Sequence, residues 1–381
     1  MHPALLLGLC AGVAASAQSL PELSAVAVPG RTEARITRAA PDALVALVLG
    51  LETASIPLPG GALLGVTPSV IAGVGFADPL GHSVLGGTLP IAAGRGLLFF
   101  SQAVVFAPQQ PAPVTPLQVT PLRALHMPAV GEPIDIVVLF GQSNAEGGAP
   151  RSGLQEHLVG PLPKVRMWND ATGAWQALEA GVNNTLFAGG LWAGPEMGIG
   201  ETMAAAGRPL WLVKFGLYAT SLGPSPGPWS EWGAHAGELY PELLRRIDNA
   251  AAAARALGLL PNVRLVCMMQ GESDALDARL AASYSRYLDQ FVQQLRIDLA
   301  ARNLDGDTVV PFRIGLVSPH LVAAGFPHIP EVRVAQQQVA ATLPACMVIE
   351  TSGLPLQPDG VHFSLPGVLQ LGRSFVAPTP Q

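Results

Sequence analysis

Three polar blocks of this chain contain residues whose types and spacing could do chemistry. The block Gly-Gln-Ser-Asn at residues 141–144 follows an apolar segment and contains Ser143, while Asp359 and His362 stand three residues apart near the other end of the chain. A serine hydroxyl becomes a nucleophile when a histidine accepts its proton and a carboxylate holds that histidine. A third block, Gln-Gly-Glu-Ser-Asp at 270–274, follows another apolar segment. These types and spacings indicate an enzyme with a Ser-His-Asp relay.

Each feature also has a simpler interpretation when it is taken alone. Ser143 could cap the amino end of a helix, because serine and asparagine are common where a helix begins. His362 could be a surface histidine beside the turn at residues 358–360. Gln270 and Glu272 could cap the end of a strand. The presence of all three blocks in one chain favours the catalytic interpretation.

Apolar strands that alternate with helices must position these blocks. The segments that predict strands are 134–140, 209–215, 263–269, 312–317 and 346–350, and those that predict long helices are 237–257 and 274–304. This alternation predicts a parallel sheet with helices on both faces. The expected strand order is the 2-1-3-4-5 of flavodoxin-like sheets. In such sheets the catalytic groups lie at the carboxyl ends of the strands, so the blocks are expected at one edge.

The first third of the chain has a different pattern. Short apolar stretches between Gly and Pro predict a small β-sandwich-like domain at residues 18–108. Five prolines within 109–132 predict a stiff, extended linker, and 133–381 would then be the α/β domain. An apolar run that ends at the small residues 15–17 predicts a signal peptide over 1–17. The expected location is therefore secreted, periplasmic or on the cell surface of a bacterium.

Composition and charge narrow the classes of partner. A net charge of −6 without a basic run makes nucleic acid an unexpected partner. After the leader, no apolar run approaches the ~20 residues of a membrane span. The eight histidines are scattered, without clustered cysteines or paired carboxylates, so the sequence predicts neither a metal site nor a cofactor.

Four blocks of the chain, in order, resemble those of the SGNH-hydrolase superfamily, in its branch of sialate O-acetylesterase-like enzymes and acetylxylan esterases. The blocks are 141–144, 194–196, 270–274 and 359–362. The resemblance covers about residues 133–377 and implies a flavodoxin-like three-layer domain with a parallel sheet. Ala145 and the pair 268–269 depart from the family pattern, which has Met and an aromatic pair there, so substrate preference stays open.

The resemblance also implies roles for individual residues. Ser143 would be the nucleophile, His362 the general base and then acid, and Asp359 the orienting carboxylate. The amides of Ser143 and Gly194 and the side chain of Gln270 would form an oxyanion hole. Such a hole donates hydrogen bonds where negative charge develops on the tetrahedral intermediate. The resemblance implies no cofactor.

The implied function is the removal of O-acetyl groups from carbohydrate, of sialate or xylan type, by an exported serine esterase. Gln142, Glu272 and Trp229 are candidate substrate contacts. Glu272 could equally be a scaffold, and Trp229 could fill the core of its own loop. One alternative is a general short-chain ester or lipid esterase of the same superfamily. The other is a non-catalytic carbohydrate-binding protein, attached to a cell surface or matrix through its N-terminal domain.

Overall fold

The computed structural model describes residues 22–377 apart from short gaps, and the signal peptide predicted at 1–17 lies outside the described residues. The gaps are 29–30, 51–52, 58–62, 67–69, 81, 88–96, 107–117, 121–122, 128–130, 163, 184–190, 208, 226–229 and 236. In the described part of the chain, no helix is both long and apolar enough to cross a membrane.

Every regular element described before residue 128 is a β-strand. The strands are β1 (Glu22–Val28), β2 (Arg31–Thr37), β3 (Leu44–Gly50), β4 (Thr53–Pro57), β5 (Leu63–Val66), β6 (Val70–Phe76), β7 (Ser83–Gly87), β8 (Leu97–Phe106), β9 (Gln118–Val119) and β10 (Arg123–Met127). One sheet has the order β1-β2-β7 and another the order β10-β8-β3-β6. Ile36 and Leu85 from the first sheet share a buried cluster with Leu47 and Val105 from the second. A separate sandwich-like domain over 18–108 stays a prediction.

The segment 109–132, expected as an extended linker, contains β9 and β10. Strand β10 pairs antiparallel with β8, from Arg123 opposite Ser101 to Met127 opposite Leu97. This corrects the linker prediction for the residues that form β9 and β10, which belong to a sheet.

The rest of the chain forms a mixed α/β structure around a large, mostly parallel sheet. Its strands are β11 (Pro133–Gly141), β12 (Ala149–Pro150), β13 (Val165–Asn169), β14 (Ala174–Ala177), β15 (Trp192–Ala193), β16 (Leu210–Gly216), β17 (Leu260–Met269), β18 (Phe312–Gly315) and β19 (Cys346–Ile349). The sheet order is β14-β13-β16-β11-β17-β18-β19, and β12 pairs with β15 outside it. The five predicted strands therefore appear in the predicted order. Parallel β13 and antiparallel β14 extend the sheet beyond β16.

The helices are α1 (Ser143–Glu146), α2 (Glu156–Val159), α3 (Pro195–Ala205), α4 (Leu239–Ala256), α5 (Ala278–Ala301), α6 (Ile329–Thr342) and α7 (Leu365–Val376). Helices α4 and α5 confirm the two long predicted helices. Helix α5 begins four residues later than expected because Asp277 caps it, accepting hydrogen bonds from the amides of Arg279 and Leu280. Its buried stripe runs from Leu280 to Leu299 and covers the sheet.

The parallel register brings five strand ends to one edge of the sheet. Gly141 lies opposite Gly216 in β16 and opposite Met269 in β17. Met269 in turn lies opposite Gly315 in β18, which lies opposite Ile349 in β19. The residues that follow these ends therefore share one edge, which we call the catalytic edge. Both the serine block and the block at 270–274 begin there, as the sequence indicates.

Candidate active site

The nucleophile candidate stands on a tight turn between β11 and α1. Gly141 ends the strand at φ +141°, and a Cβ there would lie 1.9 Å from the Met269 carbonyl oxygen, so only glycine allows this close approach. The Gln142 carbonyl accepts hydrogen bonds from the amides of Ala145 and Glu146 and so starts the one-turn helix. Ser143 is the first residue of that helix and is 8% exposed.

Asn144 connects this turn to the loop that contains His362. Its Nδ2 donates to Glu272 Oε1 at 2.9 Å and to the Val361 carbonyl at 3.3 Å. Its Oδ1 accepts from the Phe363 amide at 3.0 Å. The two backbone partners flank His362 on either side. The structure thus brings the segments of Ser143 and His362, which are far apart in sequence, into direct contact.

His362 and Asp359 form the pair that the sequence predicts. Asp359 Oδ2 lies 2.6 Å from His362 Nδ1, and Asp359 Oδ1 accepts from the amides of Val361 and His362. Burial raises the pKa of Asp359, but the hydrogen bonds from the His362 ring and from the two amides outweigh it, so the pKa lies below its ordinary value. Asp359 is therefore ionised at neutral pH and can orient the ring.

In the described part of the chain, the Ser143 and His362 side chains are not joined by a hydrogen bond, although Asn144 bonds to both residues beside His362. Catalytic hydrogen bonds are often long in free enzymes and tighten when substrate binds. The His362 side chain is 37% exposed, so its ring can be reached by a substrate at the catalytic edge.

Gln270 has a different environment from the one expected of an oxyanion donor. Its side chain is fully buried, and its Nε2 donates to Asp274 Oδ2 at 2.6 Å and to the Thr220 carbonyl at 3.3 Å. Its Oε1 accepts from the Tyr284 hydroxyl at 2.8 Å. Both Nε2 hydrogens therefore have acceptors within the protein. This arrangement makes Gln270 a scaffold that connects the strand end to the loop after β16.

Gly194 also donates its amide within the protein. The N–H bonds to Glu196 Oε1 at 2.8 Å, and Glu196 Oε2 lies 2.9 Å from Lys214 Nζ. Lys214 donates as well to the Glu146 carbonyl at the end of α1. The side chains of Lys214, Glu146 and Glu196 are all buried. A buried charge is stable only when it is paired and hydrogen-bonded. This network joins the nucleophile turn to the start of α3.

Asp274 organises the loop after β16. It accepts hydrogen bonds from the amides of Leu222 and Gly223 as well as from Gln270. Burial raises its pKa to about 6, against the opposing effect of these donors. Gln142 Oε1 accepts from the amides of Gly271 and Ser273 at 3.4 and 3.2 Å. The serine block and the block at 270–274 are thus hydrogen-bonded to each other directly.

The structure gives the position of Glu272, one of the candidate substrate contacts, but not that of Trp229. Glu272 is 1% exposed, so of the two roles that the sequence left open its burial favours the scaffold. Burial raises its pKa. Trp229 lies outside the described residues.

Sequence reasoning missed several residues of the site. Asn144 and Asp274 belong to the polar blocks, but the sequence did not predict their hydrogen-bond partners. Lys214 lies in no motif that would mark it as part of a site. Tyr218 was also missed; its side chain is 60% exposed at the catalytic edge. The residue before Tyr218 is held in place, because the Leu217 amide donates a hydrogen bond to the Gly141 carbonyl. An exposed aromatic side chain on a fixed loop is a suitable surface for a ligand.

Across the part of the chain that the structure describes, no three His, Cys, Asp or Glu side chains cluster as metal ligands would. The two cysteines there, Cys267 and Cys346, are free thiols.

Fold and site together define a protein of the α/β class, with polar groups at the carboxyl ends of a parallel sheet. The sequence model of the family described as carbohydrate esterase, sialic acid-specific acetylesterase, matches residues 133–379. The chain belongs to this family.

The chain is also similar to individual proteins. A probable carbohydrate esterase of Arabidopsis thaliana, At4g34215, is 30% identical over 147 residues, which are 38% of this chain and 48% of that protein, so the match spans about half of the relative. The X-ray structure of the Arabidopsis thaliana protein AT4G34215 has a TM-score of 0.50 and 22% identity, over 64% of this chain and 95% of that one. XAC1771, a carbohydrate acetylesterase from Xanthomonas citri, has a TM-score of 0.43 and 16% identity, over 92% of this chain and 71% of that one. The first structural likeness supports the α/β fold.

Proposed function

We propose that this protein is a serine esterase that removes O-acetyl groups from carbohydrate through Ser143, His362 and Asp359. The observation that carries the proposal is the set of Asn144 hydrogen bonds, which hold the nucleophile turn against both peptide groups that flank His362. Because Nδ1 of His362 is paired with Asp359, Nε2 is the ring nitrogen left to accept a proton.

The proposed reaction has two halves. His362 Nε2 accepts the Ser143 proton as the serine oxygen attacks the acetyl carbonyl, and the resulting tetrahedral intermediate carries a negative oxygen. When the intermediate collapses, the sugar oxygen leaves with the proton from His362, and acetyl-Ser143 remains. A water molecule that His362 deprotonates then releases acetate and restores the serine hydroxyl. Asp359 stabilises the imidazolium in both halves.

For the oxyanion hole we propose the Ser143 amide as a donor. It is the first N–H of α1 and therefore has no intrahelical acceptor. For Gly194 and Gln270 we propose a supporting role, because Glu196 holds the Gly194 amide and Asp274 and Thr220 hold the Gln270 amide. The hydrogen bonds of Gly194 and Gln270 would then hold the oxyanion hole in its shape before substrate binds.

For the substrate we propose an acetylated sugar, of sialate or xylan type. Its ring would pack on the exposed face of Tyr218, since aromatic rings provide large, rigid contact surfaces for apolar ligand faces. Gln142, the other candidate contact, is 4% exposed and its Oε1 accepts two amide hydrogen bonds, so for it we propose a supporting role beside the nucleophile. The ordinary short-chain esterase stays the second candidate, and it predicts no preference for sugar esters.

We also propose that residues 1–17 direct export and that the N-terminal strands attach the enzyme to a cell surface or matrix. Sequencing the amino terminus of the mature protein tests the first point. A mature chain that still begins at Met1 contradicts it.

A labelling experiment combined with a substrate panel tests the proposed function. A fluorophosphonate should modify the intact protein once, and peptide mass spectrometry should place the label on Ser143. Acetate release is then compared for an acetylated sialic acid, acetylated xylooligosaccharides and p-nitrophenyl acetate. Modification of a different serine would contradict the proposed triad. Equal kcat/KM for all the esters would favour the ordinary short-chain esterase.

A further inference from the structure

Glu272 is a buried carboxyl group with an unusual hydrogen-bond pattern. Its Oε1 accepts from Asn144 Nδ2 at 2.9 Å, whereas its Oε2 is buried without any hydrogen-bond partner. A buried polar atom without a hydrogen-bond partner destabilises the folded state, so its presence calls for a functional explanation. Its position beside Asn144 shows what that purpose could be.

The Glu272 oxygen determines how the Asn144 amide is oriented. In the observed orientation, Nδ2 faces two acceptors, Glu272 Oε1 and the Val361 carbonyl, and Oδ1 faces the Phe363 N–H. Rotating the amide by 180° would place Oδ1 against two oxygens and Nδ2 against an N–H group. Both contacts would then be repulsive. An acceptor at Glu272 therefore favours the single orientation that bonds to both sides of His362.

We propose that Glu272 is a positioning residue, which acts through Asn144 to hold the His362 loop at its working distance from Ser143. The inference rests on the proposed function, since it assumes that His362 is the base. Glu272 itself does not touch substrate, because its side chain is shielded from solvent. A change at Glu272 should therefore lower the rate of the chemical step and leave substrate binding alone.

Two substitutions at Glu272 separate this role from simple packing. Glu272→Gln keeps an oxygen acceptor for Asn144, and its kcat on p-nitrophenyl acetate should stay within about threefold of the wild type. Glu272→Met fills similar space without an acceptor, and its kcat should fall about 10²-fold, since a small misplacement of a catalytic group costs about that much. KM should change less than about twofold in both variants. The rate of fluorophosphonate labelling of Ser143 should fall in parallel with kcat.

A matched control uses Glu201, a carboxylate that bonds to His157 and Arg373 away from the site. Glu201→Met should leave kcat unchanged. Thermal unfolding of each variant establishes that the compared proteins are folded.

If Glu272→Met fails to fold, a second test exchanges the hydrogen-bond donor and acceptor between residues 144 and 272. Asn144→Asp should lose kcat because two carboxyl groups then face each other. Adding Glu272→Gln to that variant supplies a donor to the new Asp, and it should restore kcat at least about tenfold. A coupling of this kind between two residues would be absent if they acted independently.

Three results would overturn the inference. They are a folded Glu272→Met with kcat within threefold of the wild type, a loss that appears in KM instead, or a swap without any recovery. Failure of the proposed function looks different. In that case the wild-type protein itself would not be labelled at Ser143.

Discussion

The two sides of the candidate site differ in how they are held. Ser143 and Asn144 are 8% and 2% exposed, on a turn that the sheet and a buried polar network enclose. The side chains of Asp359 and His362 are 46% and 37% exposed, on a loop whose hydrogen bonds to Asp359 are all local. Long-range packing therefore positions the nucleophile, whereas a short turn and the Asn144 bonds position the base. Changes on the sheet side should alter stability more readily than changes on the loop.

The largest effect is expected for Ser143→Ala. Loss of a triad nucleophile costs about 10⁴- to 10⁶-fold in kcat, and the fold should survive because the hydroxyl has no bonded partner among the described residues. Hydrolysis of p-nitrophenyl acetate and thermal unfolding measure the two properties. Ser318→Ala is the control: it removes a buried hydroxyl that has no hydrogen-bond partner and should keep kcat. A loss below tenfold in a folded Ser143→Ala would remove Ser143 from its role.

On the exposed loop, Asp359→Asn should lower kcat at neutral pH by about 10²- to 10⁴-fold, because a neutral amide favours the wrong ring tautomer. The lowered pKa of Asp359 also has a consequence for stability. The stabilisation from the ionised group is present above the carboxyl's unfolded pKa of about 3.9 and disappears as the pH falls through the lower folded value. Unfolding free energies of wild type and variant should therefore differ at pH 6 and converge in acid. A variant that keeps most of the wild-type rate would mean that another carboxylate orients His362.

On the buried side, Asp274 should make stability depend on pH in the opposite direction. Its pKa is raised to about 6, so its contribution to stability is complete below the unfolded pKa of about 3.9 and is lost as the pH rises through 6. Between pH 4 and 7 the loss should be about 2 to 3 kcal/mol. Asp274→Asn should lack this loss, while Glu272 contributes equally to both proteins. Urea unfolding across this pH range measures the difference, and identical slopes would contradict the assignment.

At the rim of the site, Tyr218→Ala should raise KM for an acetylated oligosaccharide about tenfold, a typical value for one lost aromatic contact. The kcat/KM for p-nitrophenyl acetate should not change, because that ester lacks a sugar ring. Tyr218→Phe keeps the ring and serves as the control. An equal effect on both substrates would show that Tyr218 supports the site instead of contacting sugar.

The parts of the structure that sequence patterns predicted are those set by local chemistry. The five strands and their order follow from apolar runs that alternate with helices, and the sheet order β16-β11-β17-β18-β19 confirms them. The Asp359–His362 pair was predictable because its two members are three residues apart on one turn. The linker prediction was wrong for Arg123–Met127, because a short strand that pairs with a distant strand has no signal in the local proline content.

The sequence by itself determined which residue types reach the catalytic edge, because a strand that ends in a polar block must present it there. Only the tertiary structure decided which hydrogen-bond partners those side chains have. A carboxamide can donate or accept, so its role depends on the segments that fold beside it. Asn144 meets a carboxylate 128 residues away and a carbonyl 217 residues away. Gln270 turns inward to Asp274 and Thr220, where the sequence indicated a donor to the intermediate. Such partners are set by long-range packing, which residue spacing does not encode.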